Sequence, residues 1–195
     1  TLVRTVFFVG NLVQYRNSVT VEGLNSYGAH WNKVTGCKGG TEMFGNFNIG
    51  IMGSGNIAGI MAGTINKMKN VRVYAVASRQ QVHADVFAGK YGCKKAYGSY
   101  ADLAADKKVD LIYVATPHSE HYENVKMCLE AGKPVLCEKA FTLNATQAEE
   151  LVRIAAEHKV FLAEAMWTRY MPMLTTIREV IGSGTVSYTH LTLPT

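Results

Sequence analysis

The stretch FNIGIMGSGNIA, residues 47–58, decides the fold of this chain. Its first half, FNIGIM, is an apolar run with the length of a buried strand. Its second half, GSGNIA, has the spacing G-x-G-x-x-A, in which the glycines allow a tight turn and a close approach to the backbone, and the alanine allows close packing of a following helix. The stretch therefore predicts a strand, a glycine turn and a helix in immediate succession.

Beyond residue 58, apolar runs alternate with amphipathic stretches, which indicates βαβ units and a parallel sheet covered by helices on both faces. The predicted fold class is α/β, a Rossmann-type doubly wound parallel sheet. We predict strands at 47–52, 71–77, 111–115, 135–137 and 160–163, with a short one at 94–96. We predict helices at 56–66, 82–91, 100–105, 120–131, 145–158 and 173–182, with Ser99 and Asn144 as N-caps and Gly92 and Gly132 at helix ends.

The glycine turn is a candidate anion site because the free N–H groups and the dipole of a helix N-terminus favour negative charge. We expect it to bind the diphosphate of a dinucleotide, with contacts from Gly53, Ser54, Gly55, Asn56 and Ile57. Two alternatives stay open on the pattern alone. One is a tight turn without a nucleotide, and the other is the glycine loop of a methyltransferase.

The residues after the second strand bear on the choice of cofactor. NAD-binding proteins usually place an acid here, about 20 residues after the glycines, to hold the ribose 2′-hydroxyl. This chain has Ser78-Arg79 instead, and a guanidinium suits a 2′-phosphate. We therefore expect NADP, with NAD possible. His83 could assist from the next helix or could simply lie at the surface.

Two more predicted strands end in polar clusters. Thr116-Pro117-His118 and His121 follow one strand, and Glu138-Lys139 follow the other. Ligands of open parallel sheets bind at the carboxyl ends of the strands. A lysine in this position could act as a general acid or base, although a solvent-facing lysine would leave the same pattern.

Five segments of the chain together resemble a known family. They are IGIMGSGNIA, VYAVASRQ, KAYGSYADL, VDLIYVATPHSEHYENVKMCLEAGKPVLCEKAFTLN and FLAEAMWTRYMP. The chain is similar to the Gfo/Idh/MocA oxidoreductases, and within them to the trans-dihydrodiol dehydrogenase branch. The resemblance implies hydride transfer between NADP(H) and a sugar, cyclitol or diol-like carbon. A non-catalytic NADP-sensing regulator on the same fold is the alternative.

The resemblance also implies roles for individual residues. Lys139 would be the catalytic lysine of the family's E-K-P motif, although Ala140 replaces the proline of that motif. Glu138 would lie beside the nicotinamide ribose. The remaining implied contacts line the cofactor cleft or the nicotinamide, and they are Thr116, Pro117, His118, His121, Trp167 and Arg169.

Composition restricts the partners. The formal net charge of +5 comes without a run of basic residues, so we expect no nucleic acid. No apolar run has the roughly 20 residues that span a bilayer, so we expect no membrane. The four cysteines, Cys37, Cys93, Cys128 and Cys137, fit no zinc spacing, so we expect no metal and free thiols in a cytoplasmic protein. The expected partner is a small polyol or diol, and the family implies a homo-oligomer.

The two ends do not share the pattern of the middle. Residues 1–42 show no sustained period, and codons for Lys38-Gly39-Gly40 can spell a ribosome-binding site before Met43, so we expect a non-native or disordered leader. Residues 185–195 can be back-translated into a sequencing adaptor, so we expect an adaptor-derived tail. Between them we expect an NAD(P)-binding domain at 43–164 and the start of a truncated C-terminal α/β domain at 165–184.

Overall fold

The computed structural model describes residues 47–184, in which six strands form one parallel sheet. The strand order is β3-β2-β1-β4-β5-β6, which is the order of a doubly wound dinucleotide-binding fold. The strands are β1 (Phe47–Met52), β2 (Val71–Ala77), β3 (Lys95–Tyr97), β4 (Leu111–Val114), β5 (Val135–Cys137) and β6 (Leu162–Glu164). The predicted fold class is confirmed.

Six helices connect or follow these strands. They are α1 (Asn56–Ile65), α2 (Gln81–Tyr91), α3 (Tyr100–Ala105), α4 (His121–Glu130), α5 (Ala145–His158) and α6 (Pro172–Gly182). Short 3₁₀ turns cover His118–Glu120 and Trp167–Tyr170. In the described part of the chain, no helix is long and apolar enough to cross a bilayer.

Two apolar clusters fill the space on the two faces of the sheet. One joins Ile49, Ile51 and Val73 to α1 and α2, and the other joins Ile112 and Val114 to α3, α4 and α5. Because helices cover both faces, the strands carry few polar residues, and this is why apolar runs rather than alternation marked them in the sequence.

Local signals fix several helix ends. The Asn144 side chain accepts a hydrogen bond from the Gln147 N–H at 3.0 Å and caps α5. Gly92 and Gly132 have φ of 73° and 71° at the ends of α2 and α4, where a left-handed backbone favours glycine. Ser99 occupies the N-cap position of α3, but its side chain makes no capping hydrogen bond.

The strand predicted at 160–163 was placed too early, since β6 begins at Leu162. Lys159 closes α5 with a left-handed φ of 55°, and the Val160 N–H bonds back to the Ala155 carbonyl at 3.0 Å. Val160 therefore belongs to the end of the helix. The other elements differ from the prediction by one residue at most at either end.

The register places the ends of four strands at one edge. Met52 pairs with Val114, Val114 pairs with Cys137, and Cys137 pairs with Glu164. The residues that follow these strands therefore lie at the same edge of the sheet, and the candidate site lies there. The predicted leader at 1–42 and tail at 185–195 lie outside the described residues, and the boundary at 164/165 stays a prediction.

Candidate functional site at the carboxyl edge of the sheet

A cleft of about 390 Å³ opens at this edge, above the ends of β1, β2 and β4. Seven residues predicted from the sequence line it, and four further residues complete its wall. The predicted residues are Gly53, Ser54, Gly55, Ser78, Arg79, Thr116 and Pro117, and the further ones are Gln80, His83, Tyr100 and Ala115. The volume falls in the range of small-molecule sites.

Gly53 makes the turn after β1 possible. Its φ is +104°, and a Cβ atom built on it would lie 2.8 Å from the Ala115 carbonyl oxygen. Its N–H donates to the Ala77 carbonyl at 2.8 Å. The turn is therefore tied to β2 and pressed against the end of β4, and no side chain fits there.

The N-terminus of α1 is open toward a ligand. Gly55 is its N-cap without a side-chain hydrogen bond, and the first turn carries no acid. The first intrahelical hydrogen bond runs from the Gly59 N–H to the Gly55 carbonyl at 3.1 Å. The N–H groups of Asn56 and Ile57 precede it and therefore have no carbonyl partner within the helix. An uncapped N-terminus of this kind suits a phosphate.

The end of β2 forms the adjacent wall. The Ser54 hydroxyl donates to the Ser78 hydroxyl at 3.2 Å and links the glycine turn to this wall. Ser78 is buried, whereas Arg79 and His83 are exposed. Burial and the charge of Glu120 raise the pKa of the Tyr100 phenol, and the nearby Arg79 opposes that rise. None of the residues that line the cleft is a carboxylate.

The segment after β4 contributes both lining and buried residues. Thr116 and Pro117 line the cleft, while His118 is exposed and outside the lining. His121 is 1% exposed. Its Nδ1 lies 2.8 Å from the Ala140 carbonyl oxygen and its Nε2 lies 2.9 Å from the Thr116 carbonyl oxygen. Both ring nitrogens therefore face backbone carbonyls, and the His121 ring lies between two loops of the edge.

The segment after β5 carries Glu138 and Lys139. Tyr113 donates from its phenol to Glu138 Oε1 at 2.5 Å, and the Lys139 N–H donates to Glu138 Oε2 at 3.2 Å. Burial, followed by the charge of Glu138, raises the pKa of Tyr113 well above its usual range, so the phenol remains a donor. Lys139 is exposed at the same edge of the sheet as the glycine turn. The peptide bond between Lys139 and Ala140 is cis.

The remaining predicted residues lie around this edge. Asn56 and Ile57 are exposed in the first turn of α1. Trp167 is 40% exposed in the 3₁₀ turn after β6. The side chain of Arg169 lies outside the described residues. In the part of the chain that the structure describes, no group of three or more His, Cys, Asp or Glu residues could hold a metal ion.

Sequence reasoning missed four residues of this edge, which are Gln80, Tyr100, Tyr113 and Glu164. Gln80 lies just before α2 and Tyr100 is the first residue of α3, where only tertiary structure shows which helix starts share a cleft. Tyr113 lies inside an apolar strand, and its polar partner is 25 residues further along the chain. An isolated tyrosine in an otherwise aliphatic strand was the one available signal, because a buried phenol usually requires a partner.

The strand order, the glycine turn and the uncapped helix define a dinucleotide-binding domain of the Rossmann type. A family model described as "Oxidoreductase family, NAD-binding Rossmann fold" matches residues 47–166. The chain therefore belongs to the Gfo/Idh/MocA oxidoreductase family, as its resemblance predicted. This family assignment agrees with a dinucleotide cofactor and excludes the methyltransferase interpretation. The contacts of the glycine turn with the diphosphate stay a prediction.

Curated relatives match the same region. A D-xylose 1-dehydrogenase (NADP(+)) from Hypocrea jecorina is 58% identical over 92 residues, covering 47% of this chain and 24% of the relative. A trans-1,2-dihydrobenzene-1,2-diol dehydrogenase from Mus musculus is 42% identical over 139 residues, covering 70% of this chain and 42% of the relative. The chain thus spans less than half the length of these relatives.

Solved structures share the fold. A 3-ketoreductase from Actinomadura kijaniata in complex with NADP is 28% identical, with a TM-score of 0.68 over 72% of this chain and 45% of that chain. An NAD binding oxidoreductase from Klebsiella pneumoniae is 30% identical, with a TM-score of 0.66 over 71% of this chain and 39% of that chain.

Proposed function

We propose that this chain binds NADP(H), and that the whole protein transfers hydride between NADP(H) and a carbon of a sugar, cyclitol or diol-like substrate. The observation that carries the proposal is the common edge of the sheet, which brings the glycine turn, the Ser78-Arg79 pair and Lys139 to one side of the domain. The register of β1, β4 and β5 supports it, since two strand spacings, about 10 Å, separate the turn from the Lys139 segment.

The choice of NADP over NAD rests on the wall at the end of β2. Arg79 is exposed beside Ser78. No carboxylate lines the cleft, so none is present there to hold a ribose 2′-hydroxyl or to repel a 2′-phosphate. A 2′-phosphate would meet forked guanidinium donors and a hydroxyl, whereas a bare 2′-hydroxyl would leave the guanidinium without an anion. A relative of this chain, the D-xylose 1-dehydrogenase, is named for NADP(+).

When bound, the nicotinamide supplies or accepts the hydride. The chain's own residues would do the rest. The N–H groups at the start of α1 would hold the diphosphate, and Glu138, fixed by Tyr113, would orient the nicotinamide ribose. The Lys139 ammonium would give a proton to, or its amine would take one from, the substrate oxygen during hydride transfer.

The substrate class comes from the relatives together with the chemistry of the edge. Their names specify a sugar and a cyclic diol, both of which carry a secondary or anomeric hydroxyl carbon. A lysine beside such a carbon suits proton exchange with its oxygen. Thr116, Pro117 and His118 would border the cofactor, and Trp167 would help to wall the nicotinamide and the substrate site.

Titration of the 195-residue chain tests the binding part of the proposal. We expect the fluorescence of NADPH to change on binding, with NADH bound more weakly and S-adenosylmethionine without effect. Gly55→Ala, whose added Cβ meets nothing within 4 Å of it in the fold, should bind NADPH more weakly in the same titration, because the methyl group occupies the approach of the diphosphate. Equal affinity for NADPH and NADH would contradict the NADP assignment.

Turnover separates the enzyme from the NADP-sensing regulator. In the chain extended to the length of its relatives, we expect NADP-dependent oxidation of a sugar or diol that Lys139→Met reduces by at least about a hundredfold. A regulator would bind NADPH equally well and show no turnover with either sequence. For the 195-residue chain by itself we expect no turnover.

We also propose that the whole protein is a cytoplasmic homo-oligomer. Supporting the location, Cys93, Cys128 and Cys137 are free thiols, and burial raises the pKa of Cys93 to about 11, which keeps it protonated and unreactive. Size-exclusion chromatography of the extended chain tests the oligomer, and a monomeric elution volume would contradict it.

A further inference from the structure

Glu164, at the end of β6, reaches across to the loop that carries Lys139. Its Oε1 accepts a hydrogen bond from the Phe141 N–H at 3.0 Å. Glu164 pairs in register with Cys137, the last residue of β5. Glu164 therefore lies beside Cys137, where the Lys139 loop leaves the sheet. It also holds Phe141, where the loop returns.

The two ends of this loop are tied to two consecutive residues at the end of β6, Glu164 and the following Ala165. The Ala165 N–H donates to the Cys137 carbonyl at 2.6 Å, next to the bond between Phe141 and Glu164. The Cys137 thiol also lies 4.0 Å from the Phe141 carbonyl oxygen. Only Glu138, Lys139 and Ala140 project beyond this closed base, so the loop has little freedom to change its direction.

Two further contacts hold the projecting part. Glu138, fixed by the buried Tyr113, accepts from the Lys139 N–H at 3.2 Å, and the ring of His121 faces the Ala140 carbonyl at 2.8 Å. The backbone on both sides of Lys139 is thus held by side chains from β4 and α4, while its own side chain is exposed.

We propose that Glu164 is a positioning residue for Lys139. Its carboxylate closes the base of the loop and thereby sets the direction in which the Lys139 amine leaves the edge. The inference rests on the proposed function, in which Lys139 exchanges a proton with the substrate. A carboxylate suits this task because charge-assisted hydrogen bonds to an N–H are short and roughly twice as strong as neutral ones.

The first test reads the position of the amine without nucleotide. Lysines of the chain are reductively methylated with isotope-labelled formaldehyde, and the Lys139 signal is identified by its loss in Lys139→Arg. We expect Glu164→Ala to shift this signal toward that of free dimethyl-lysine and to abolish hydrogen-exchange protection of the Phe141 N–H. Glu164→Gln, which keeps an acceptor oxygen but not the charge, should leave both closer to the wild type than Glu164→Ala does.

The matched control is Glu157→Ala, which removes the same charge from an exposed pair with Arg153 on α5. It should leave the Lys139 signal unchanged. If Glu164→Ala does not fold, Glu164→Asp retracts the carboxylate by one methylene and should shift the signal in the same direction. An unchanged Lys139 signal in a folded variant that has lost Phe141 protection would overturn the proposal.

The second test separates this inference from the proposed function. In the extended chain, Glu164→Ala should lower kcat about tenfold or more while the Kd for NADPH stays within about twofold, because misplacement of a reacting group acts on the chemical step. Failure of the wild type to bind NADPH would sink the proposed function alone, since the methylation signal is read without nucleotide. A rise in Kd with unchanged kcat would overturn the positioning role.

Discussion

Tyr113 donates a 2.5 Å hydrogen bond to Glu138, so a side chain that is 1% exposed in the centre of the sheet fixes the residue before Lys139. Tyr113 packs beside Ile49 and Ile51 on the face of the sheet that α1 covers, and Glu138 turns back from the edge to meet its phenol. The core of the domain and the candidate site are thereby joined through one contact.

Removal of this hydroxyl should affect both the fold and the site. Tyr113→Phe should lower the free energy of unfolding by about 1 kcal/mol, the usual net value of one hydrogen bond. The freed Glu138 carboxylate should no longer hold the nicotinamide ribose, so the Kd for NADPH should rise about fivefold. Urea unfolding and NADPH fluorescence titration measure the two effects.

A matched control for this substitution lies on the other face of the sheet. The Tyr122 phenol donates to Glu150 at 2.7 Å between α4 and α5. Tyr122→Phe deletes the same hydroxyl from a bond to a glutamate, but on the face of the sheet opposite the Tyr113–Glu138 contact. Its NADPH affinity should match the wild type, and an equal rise in Kd in both variants would contradict a specific role for the Tyr113–Glu138 contact.

The two glycines of the turn should respond differently to alanine. Gly53→Ala places a Cβ 2.8 Å from the Ala115 carbonyl oxygen at a φ of +104°, and should destabilise the fold by roughly 1–3 kcal/mol.

Gly55 has an ordinary φ of −79° and open space around it. Gly55→Ala should keep the melting temperature but weaken NADPH binding, because the new methyl group occupies the approach of the diphosphate. Unchanged NADPH affinity in Gly55→Ala would contradict the placement of the diphosphate.

Most of the fold could be predicted because its signals are local. Apolar runs mark the bounds of β1, β2 and β5. Glycines that adopt φ near +70° mark the ends of α2 and α4. The start of β6 could not be predicted, since Val160 has the apolar, β-branched character of a strand residue. Only the left-handed conformation of Lys159 shows that Val160 still belongs to the C-terminal turn of α5.

The site was predictable where residues follow a strand directly and unpredictable where contacts cross the sheet. Gly53, Ser78 and Thr116 come immediately or almost immediately after their strands, so the rule for strand ends located them. Glu164 acts on Phe141, which is 23 residues away in the sequence. That contact depends on the register between β5 and β6, which no local pattern encodes.

Acid should weaken the contact between α4 and α5. The hydrogen bond from Lys126, at 2.8 Å, and then that from Tyr122 lower the pKa of Glu150 in the folded chain. A depressed folded pKa contributes stability above the unfolded value, about 4.3, and loses it as the pH falls through the folded value. The wild type should therefore exceed Glu150→Gln in urea midpoint at neutral pH, with the gap closing below the ordinary glutamate pKa.

The exposed pair of Arg153 and Glu157 provides the comparison for this pH dependence. Both side chains are more than half exposed at i,i+4 spacing on α5, so solvent screens their attraction. Glu157→Gln should shift the urea midpoint less than Glu150→Gln does at neutral pH. A gap for Glu150→Gln that persists unchanged in strong acid would show that the side chain acts through packing rather than charge.

Arg79 should set the preference between the two dinucleotides. Arg79→Ala removes charge-assisted hydrogen bonds to the 2′-phosphate, worth about 1.5–3 kcal/mol, so the Kd for NADPH should rise about tenfold to a hundredfold. NADH has no phosphate at this position, and its Kd should stay within about twofold.

Arg153→Ala removes the same charge from an exposed site on α5 and should change neither constant. If Arg79→Ala weakens NADPH and NADH by the same factor, the guanidinium holds a part that both cofactors share, such as the adenine, and the 2′-phosphate site must lie elsewhere in the cleft.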